Sequence, residues 1–186
     1  MRSTALLFVA IFLSLQSYSQ LNAPGILWSK CFGGAADEKA YGIIAHRDGG
    51  FVICGYASSW GSTAGDVPSV HCCLSNGGYG ADAWVVKIDA NGNKQWSKAL
   101  GGNRSEYFYS IANTFDGGFI CIGSAASNDG DVTQHFGAFP NYQEIPDVWV
   151  VKFSAAGTVE WKKSYGGSQQ MWECLSGKQP TAGMFL

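Results

Sequence analysis

Asn128-Asp129-Gly130-Asp131 is the densest group of residues able to do chemistry in this chain, with oxygen ligands two positions apart as in calcium loops. The parallel stretch Thr63-Ala64-Gly65-Asp66 keeps one acid, and no bidentate glutamate follows at the usual distance. A hydrated Asp/Gly turn is therefore preferred, with calcium at Asn128, Asp129 and Asp131 as the alternative. Asp66, Asp82, Asp131 and Asp147 are the acids a polysaccharide-cleaving enzyme would use, in pairs about 5 to 10 Å apart, yet nothing in the sequence ties any of them to a partner. His71-Cys72-Cys73 has metal-ligand types but lacks the second pair that zinc sites employ. There is no Gly-x-Ser-x-Gly elbow, no His-Glu-x-x-His and no phosphate loop, so the expectation is a protein that is not an enzyme. What remains is stacking: Trp60, Tyr79, Phe136, Phe139 and Tyr142 are suited to a sugar ring or a partner's side chain, or to folding back as a plug. The candidate binding set is Trp60, Asp66, Tyr79, Asp129, Asp131 and Tyr142, with no catalytic residue, no cofactor and no metal assigned.

These residues lie in two long connections, 57–82 and 125–147, and what positions them is a repeat. Trp28, Trp96 and Trp161 each lead into a double glycine, at Gly33-Gly34, Gly101-Gly102 and Gly166-Gly167, with spacings of 68 and 65. Asp48-Gly49-Gly50-Phe51 returns as Asp116-Gly117-Gly118-Phe119, and Trp84-Val85-Val86-Lys87 as Trp149-Val150-Val151-Lys152. Each unit reads as four short strands, at 26–32, 40–46, 51–56 and 83–88 and again at 95–100, 107–113, 119–124 and 148–153, divided by glycine turns that accept positive φ. Units are placed at about 27–94 and 95–159. A third, at 160–186, breaks off after Gly166-Gly167, so it is either degenerate or the edge of a fragment. Phe51-Val52-Ile53-Cys54, Phe119-Ile120-Cys121-Ile122 and Trp84-Val85-Val86 are apolar on both faces, as in a sheet covered on both sides. The tryptophans follow the period and are read as structural.

Residues 1–19 carry one charge, Arg2, and an apolar run at 5–15 that is too short to span a bilayer, which takes about 20 residues. They read as an export signal, with the mature chain beginning near Gln20. Of the 12 Lys and Arg, one is Arg2, leaving 11 against 14 Asp and Glu. With no basic stripe, nucleic acid and membrane insertion after cleavage are not expected. Asn103-Arg104-Ser105 matches a glycosylation sequon and is given little weight. Six cysteines would meet an oxidising compartment. The repeat places Cys121 opposite Ile53, so Cys54 and Cys121 are expected on opposite faces of their strands, as buried apolar side chains and not a bridge. Cys72-Cys73 is left open between a strained mutual bridge, other partners and metal.

Trp-x-Lys-x-x-Gly-Gly, Asp-Gly-Gly-Phe, Gly-Asp-Val and Asp-x-Trp-Val-Val-Lys, recurring in phase over about 27–167, resemble the extracellular β-propeller repeats of the SBBP type, found in secreted Bacteroidetes proteins and often ahead of a type IX secretion sorting domain. The resemblance implies an all-β fold of antiparallel four-stranded units, a partial β-propeller of about two and a half blades, secreted or held at the periplasm or cell surface. It also implies a non-catalytic module whose loops bind protein or glycan at the cell exterior, with further propeller blades in cis or in trans. The rivals are the polysaccharide-acting enzyme above and a pure structural scaffold.

Overall fold

The computed structural model of the protein describes residues 24–58, 65–68, 70–71, 80–136 and 145–167. These form two antiparallel four-stranded sheets with no helix. The first contains β1 (Glu38–Ala45), β2 (Phe51–Ser58), β3 (Ala81–Ile88) and β4 (Lys94–Leu100), paired in that order. The second contains β5 (Glu106–Asn113), β6 (Phe119–Ala125), β7 (Asp147–Phe153) and β8 (Val159–Tyr165). The expected hairpins are present: Gly49 and Gly117 take φ of 87° and 84° after the turn aspartates, whose carboxylates accept the N–H of Gly50 and Gly118.

The sheets are out of phase with the repeat as read from its tryptophans. Each sheet ends with the Trp strand of the following unit, so Trp96 lies in the fourth strand of the first sheet and Trp161 in that of the second. The segment expected as the first strand, 26–32, is not a strand, and Ile26 and Leu27 are 88% and 94% exposed. The reason lies in what it would pair with. Trp96 of β4 packs over the Gly157 turn of the other sheet, and Trp28 packs in the same way over the Gly92 turn, its indole N–H donating to Ala90 O at 3.0 Å. Residues 26–32 therefore stand where the last strand of a preceding sheet would be, without that sheet's ladder.

Stacking between the sheets is head to tail. Val52 and Cys54 of β2 and Ala83 and Val85 of β3 face Phe119, Cys121, Trp149, Val151 and Phe153 of the second sheet in one continuous core. The counterparts of that second group in the first sheet are Phe51, Ile53, Trp84, Val86 and Ile88, and these line the opposite face, covered by Phe32, Val67 and Val70. Phe119 stacks on Phe153 at 4.8 Å and Phe108 on Trp149 at 5.4 Å, and each fully buried ring is worth about 2 to 3 kcal/mol of transfer free energy. The expectation of two buried, unbridged thiols holds, and the stacking adds where they lie relative to each other. Cys54 and Cys121 do project from opposite faces of their own sheets, but head-to-tail stacking turns those two faces toward each other, and the thiols meet in the shared core.

A buried lysine ties together the turn end of each sheet. Lys87, 2% exposed, donates to Asp48, to Gln95 Oε1 at 2.8 Å and to Ile88 O at 3.1 Å. Lys152 repeats this with Asp116 at 2.8 Å, Glu160 at 2.8 Å and Phe153 O at 3.1 Å. The register shifts between Lys87/Ile88 and Lys152/Phe153 leave Gln95 and Glu160 out of the ladder, and so free to turn onto the ammonium.

The Lys87 hydrogen bond holds Asp48 well below the usual carboxylate range, and Lys152 does the same for Asp116. A depressed carboxylate stabilises the fold above its unfolded pKa, and that stabilisation is lost as pH falls, because the unfolded chain then binds more protons. We expect Asp48→Asn with Asp116→Asn to lower the urea midpoint at neutral pH. The gap to the parent protein should close as pH drops below about 4, the ordinary range of an aspartate. A gap that stays constant with pH would show that the ion pairs do not carry this stability.

Candidate functional site

The end of the sheets opposite those turns gathers the long loops and the double glycines. Asp66 N–H donates to Gly33 O at 2.9 Å and Asp131 N–H to Gly101 O at 2.8 Å, so each Gly-Asp-Val segment docks on the double glycine of its own unit and buries Val67 or Val132. The side chains of the predicted site residues are engaged within the protein. Asp66 pairs with Lys94 at 2.6 Å; Asp131 pairs with Lys162 at 2.7 Å and accepts from Gly101 N–H; Asp129 Oδ1 accepts from Asn103 N–H at 2.9 Å; and Asn128 is exposed beside them. Among the described residues no group of three or more His, Cys, Asp or Glu could hold a metal ion. Trp60, Tyr79 and Tyr142 lie outside the described residues, as do Cys72, Cys73 and Phe139.

Asp82 and Asp147, at the starts of β3 and β7, fasten the returning loops. Asp82 Oδ2 accepts from the His71 backbone N–H at 2.7 Å and lies 2.9 Å from His71 Nδ1; Asp147 Oδ2 accepts from the Phe136 N–H. Glu106, fully buried, accepts from the N–H groups of Gly102 at 2.9 Å, Ala126 at 3.2 Å and Ser127 at 2.9 Å. Burial pushes the carboxyls of Asp82 and Glu106 up, against the hydrogen bonds that pull them down. These acids close the loop end of the fold; they do not face a cleft as an accessible pair.

A second set of residues, absent from the sequence-based candidates, is exposed. The ladder of β1 with β2 skips Tyr41 between Ala40 and Gly42, and that of β5 with β6 skips Tyr109 between Phe108 and Ser110. Both tyrosines therefore sit on β-bulges, which re-aim a side chain out of the pleat. Each is 50% exposed, and their rings lie 5.6 Å apart, edge to face. Tyr56 extends the row from Tyr41, at 6.1 Å, and Tyr107 from Tyr109, at 6.1 Å and nearly parallel. Lys39 Nζ lies 5.8 Å from the Tyr56 ring centroid. The result is an aromatic row crossing from one sheet to the next. The signal that could have found it is the 68-residue spacing of Tyr41 and Tyr109, the same as that of the glycine motifs.

Tyr109 also borders a shallow cavity of about 360 Å³ on the outer face of the second sheet, with Ile122, Gly123, Ser124, Pro146, Asp147 and Val148. Ile122 is 45% and Val148 40% exposed. Their counterparts in the first sheet are Cys54 and Ala83, both fully buried against the second. The expectation of strands covered on both faces thus holds for β3, buried along its whole length, and fails for β6, because no described element packs on that side. Among the described residues no helix is long and apolar enough to cross a membrane.

No family model matches the chain, and no curated protein matches it.

A β-carbon on Gly101 would stand 2.6 Å from both Asp82 Oδ1 and Glu106 Oε2. We expect Gly101→Ala to force these buried carboxylates apart and lower unfolding free energy by about 1 to 3 kcal/mol, read by chemical denaturation. An unchanged midpoint would mean that the loop end is looser than this packing requires.

Proposed function

We propose that this protein is an exported, non-catalytic repeat module of β-propeller type that acts by binding or adhesion at the cell exterior. The observation that carries the proposal is the head-to-tail order of the sheets. The first sheet buries Cys54 and Ala83 against the second, and the second offers Ile122 and Val148 at the equivalent places with no described residue packed upon them. Copies stacked through unlike faces extend an array or close a ring, whereas pairing through like faces ends at two. The occupant of the open face is accordingly another sheet of this repeat, in cis or in trans. Each added sheet would lengthen the tyrosine row by one bulge residue, giving an aromatic strip suited to sugar rings or to a protein surface.

Two features weigh against the rival reading of a polysaccharide-cleaving enzyme. Asp82 and Asp147 are buried, and Asp66 and Asp131 are paired with lysines, so none of the four is presented as half of an accessible acid pair. The exterior location rests on the signal-like residues 1–19 and the resemblance of the repeats.

In sedimentation velocity across a concentration series, the intact chain should self-associate through its open face, and Ile122→Lys with Val148→Lys should shift it toward monomer. Tyr41→Ala, which lies away from the open face, should leave that association intact and reduce binding to immobilised polysaccharide or cell-surface protein by at least tenfold. A parent chain that stays monomeric at every concentration would contradict the array. Full retention of surface binding by the tyrosine variant would remove the aromatic strip from the account.

A further inference from the structure

We propose that Cys54 and Cys121 form a disulfide that staples the two sheets together. Stacked sheets ordinarily lie about 10 Å apart, whereas bridged cysteines need Cα atoms within about 7 Å, so a bridge across a sheet interface requires a local close approach. The structure has one at this point. Gly42 is the ladder partner of Cys54, and Ile111 is the ladder partner of Cys121. A β-carbon on Gly42 would lie 3.0 Å from Ile111 Cγ2, 3.4 Å from the Ile111 backbone N and 3.1 Å from Cys54 Sγ. The missing side chain lets β1 come up against β5 and leaves room for the Cys54 sulfur, one strand inward from the closest contact.

The two cysteines, both fully buried and free thiols in this structure, belong to one core cluster that spans the interface. In the repeat their counterparts are Ile122 and Ile53, so each cysteine stands where the other copy has an isoleucine. Exchange with an oxidised low-molecular-weight disulfide completes the chemistry. The Cys54 thiolate attacks one sulfur of that disulfide, breaking its S–S bond and releasing one thiol. Cys121 then attacks Cys54 Sγ in the mixed disulfide, forming the intersheet S–S bond and releasing the second thiol. The two cysteine protons end on the two released thiols, and the small disulfide takes up the two electrons. Because both sulfurs are sealed in the folded core, exchange takes place as the sheets close.

The test is to refold the intact chain in a glutathione redox mixture and alkylate the remaining thiols. Digestion with a protease that cuts after aromatic residues then separates Cys54 from Cys72 and Cys73 at Tyr56. The expected product is a peptide pair joining Cys54 to Cys121 that disappears on reduction. Because the bridge closes a long loop, Tm should rise by several degrees on oxidation, and Cys54→Ala and Cys121→Ala should each abolish that rise. Recovery of Cys54 and Cys121 as alkylated thiols, or of either one bridged to Cys31, Cys72, Cys73 or Cys174, would overturn the proposal. Peptide mapping of the parent chain decides the matter even if an alanine variant fails to fold.

Discussion

Everything in this structure follows from sheets that are apolar on both faces. Such a sheet cannot stand in water with either face bare, and a pair stacked once still leaves two faces to cover. Here the first sheet is covered by the second on one side, and on the other by Phe32 together with Val67 and Val70. Among the described residues the second sheet is covered on one side only. Head-to-tail order makes this arithmetic recur, since every sheet added covers one face and brings another. A repeat whose units cannot bury themselves is a repeat built for company.

Polar groups pin the two ends of that stack. At the turn end, Lys87 and Lys152 are buried with an acid and three or more acceptor atoms around each ammonium. Replacing such a group with an apolar side chain of similar size often costs little, so its value lies as much in fixing which atoms meet as in raw stability. At the loop end the same work falls to Glu106 and Asp82, whose burial is offset by backbone N–H donors. Glycines at Gly42 and Gly101 set how closely the elements approach, because a β-carbon at either position would crowd a neighbour. Between the two ends, the bulges at Tyr41 and Tyr109 turn aromatic rings out of the ladder toward solvent.

Most strands were legible in the sequence because hairpin glycines and short β-branched runs carry local information, and because each appears twice. What the period does not carry is a starting point. Trp28, Trp96 and Trp161 mark equal spacings, but whether a Trp strand opens one sheet or closes the previous one depends on hydrogen bonds between distant segments. For the same reason Asp48 and Lys87 were each visible as motif residues while their contact was not. The parity argument for Cys54 and Cys121 was right about strand faces, but parity within one sheet does not say which faces of two stacked sheets meet. Tyr41 and Tyr109 look like ordinary strand residues until the skipped register shows that they are not. The loop acids were read correctly as turn-forming chemistry, but the lysines and backbone groups that hold them come from segments 30 or so residues away.

The claim on which the account stands is that unlike faces of the two sheets meet. Nuclear Overhauser contacts between methyl groups and aromatic rings in the full chain test this most directly. Head-to-tail stacking predicts contacts from the Val52 and Val85 methyls to the rings of Phe119 and Trp149. Contacts to those rings from Ile53 and Val86 instead, on the other side of the same strands, would mean that like faces meet, and the account would be wrong.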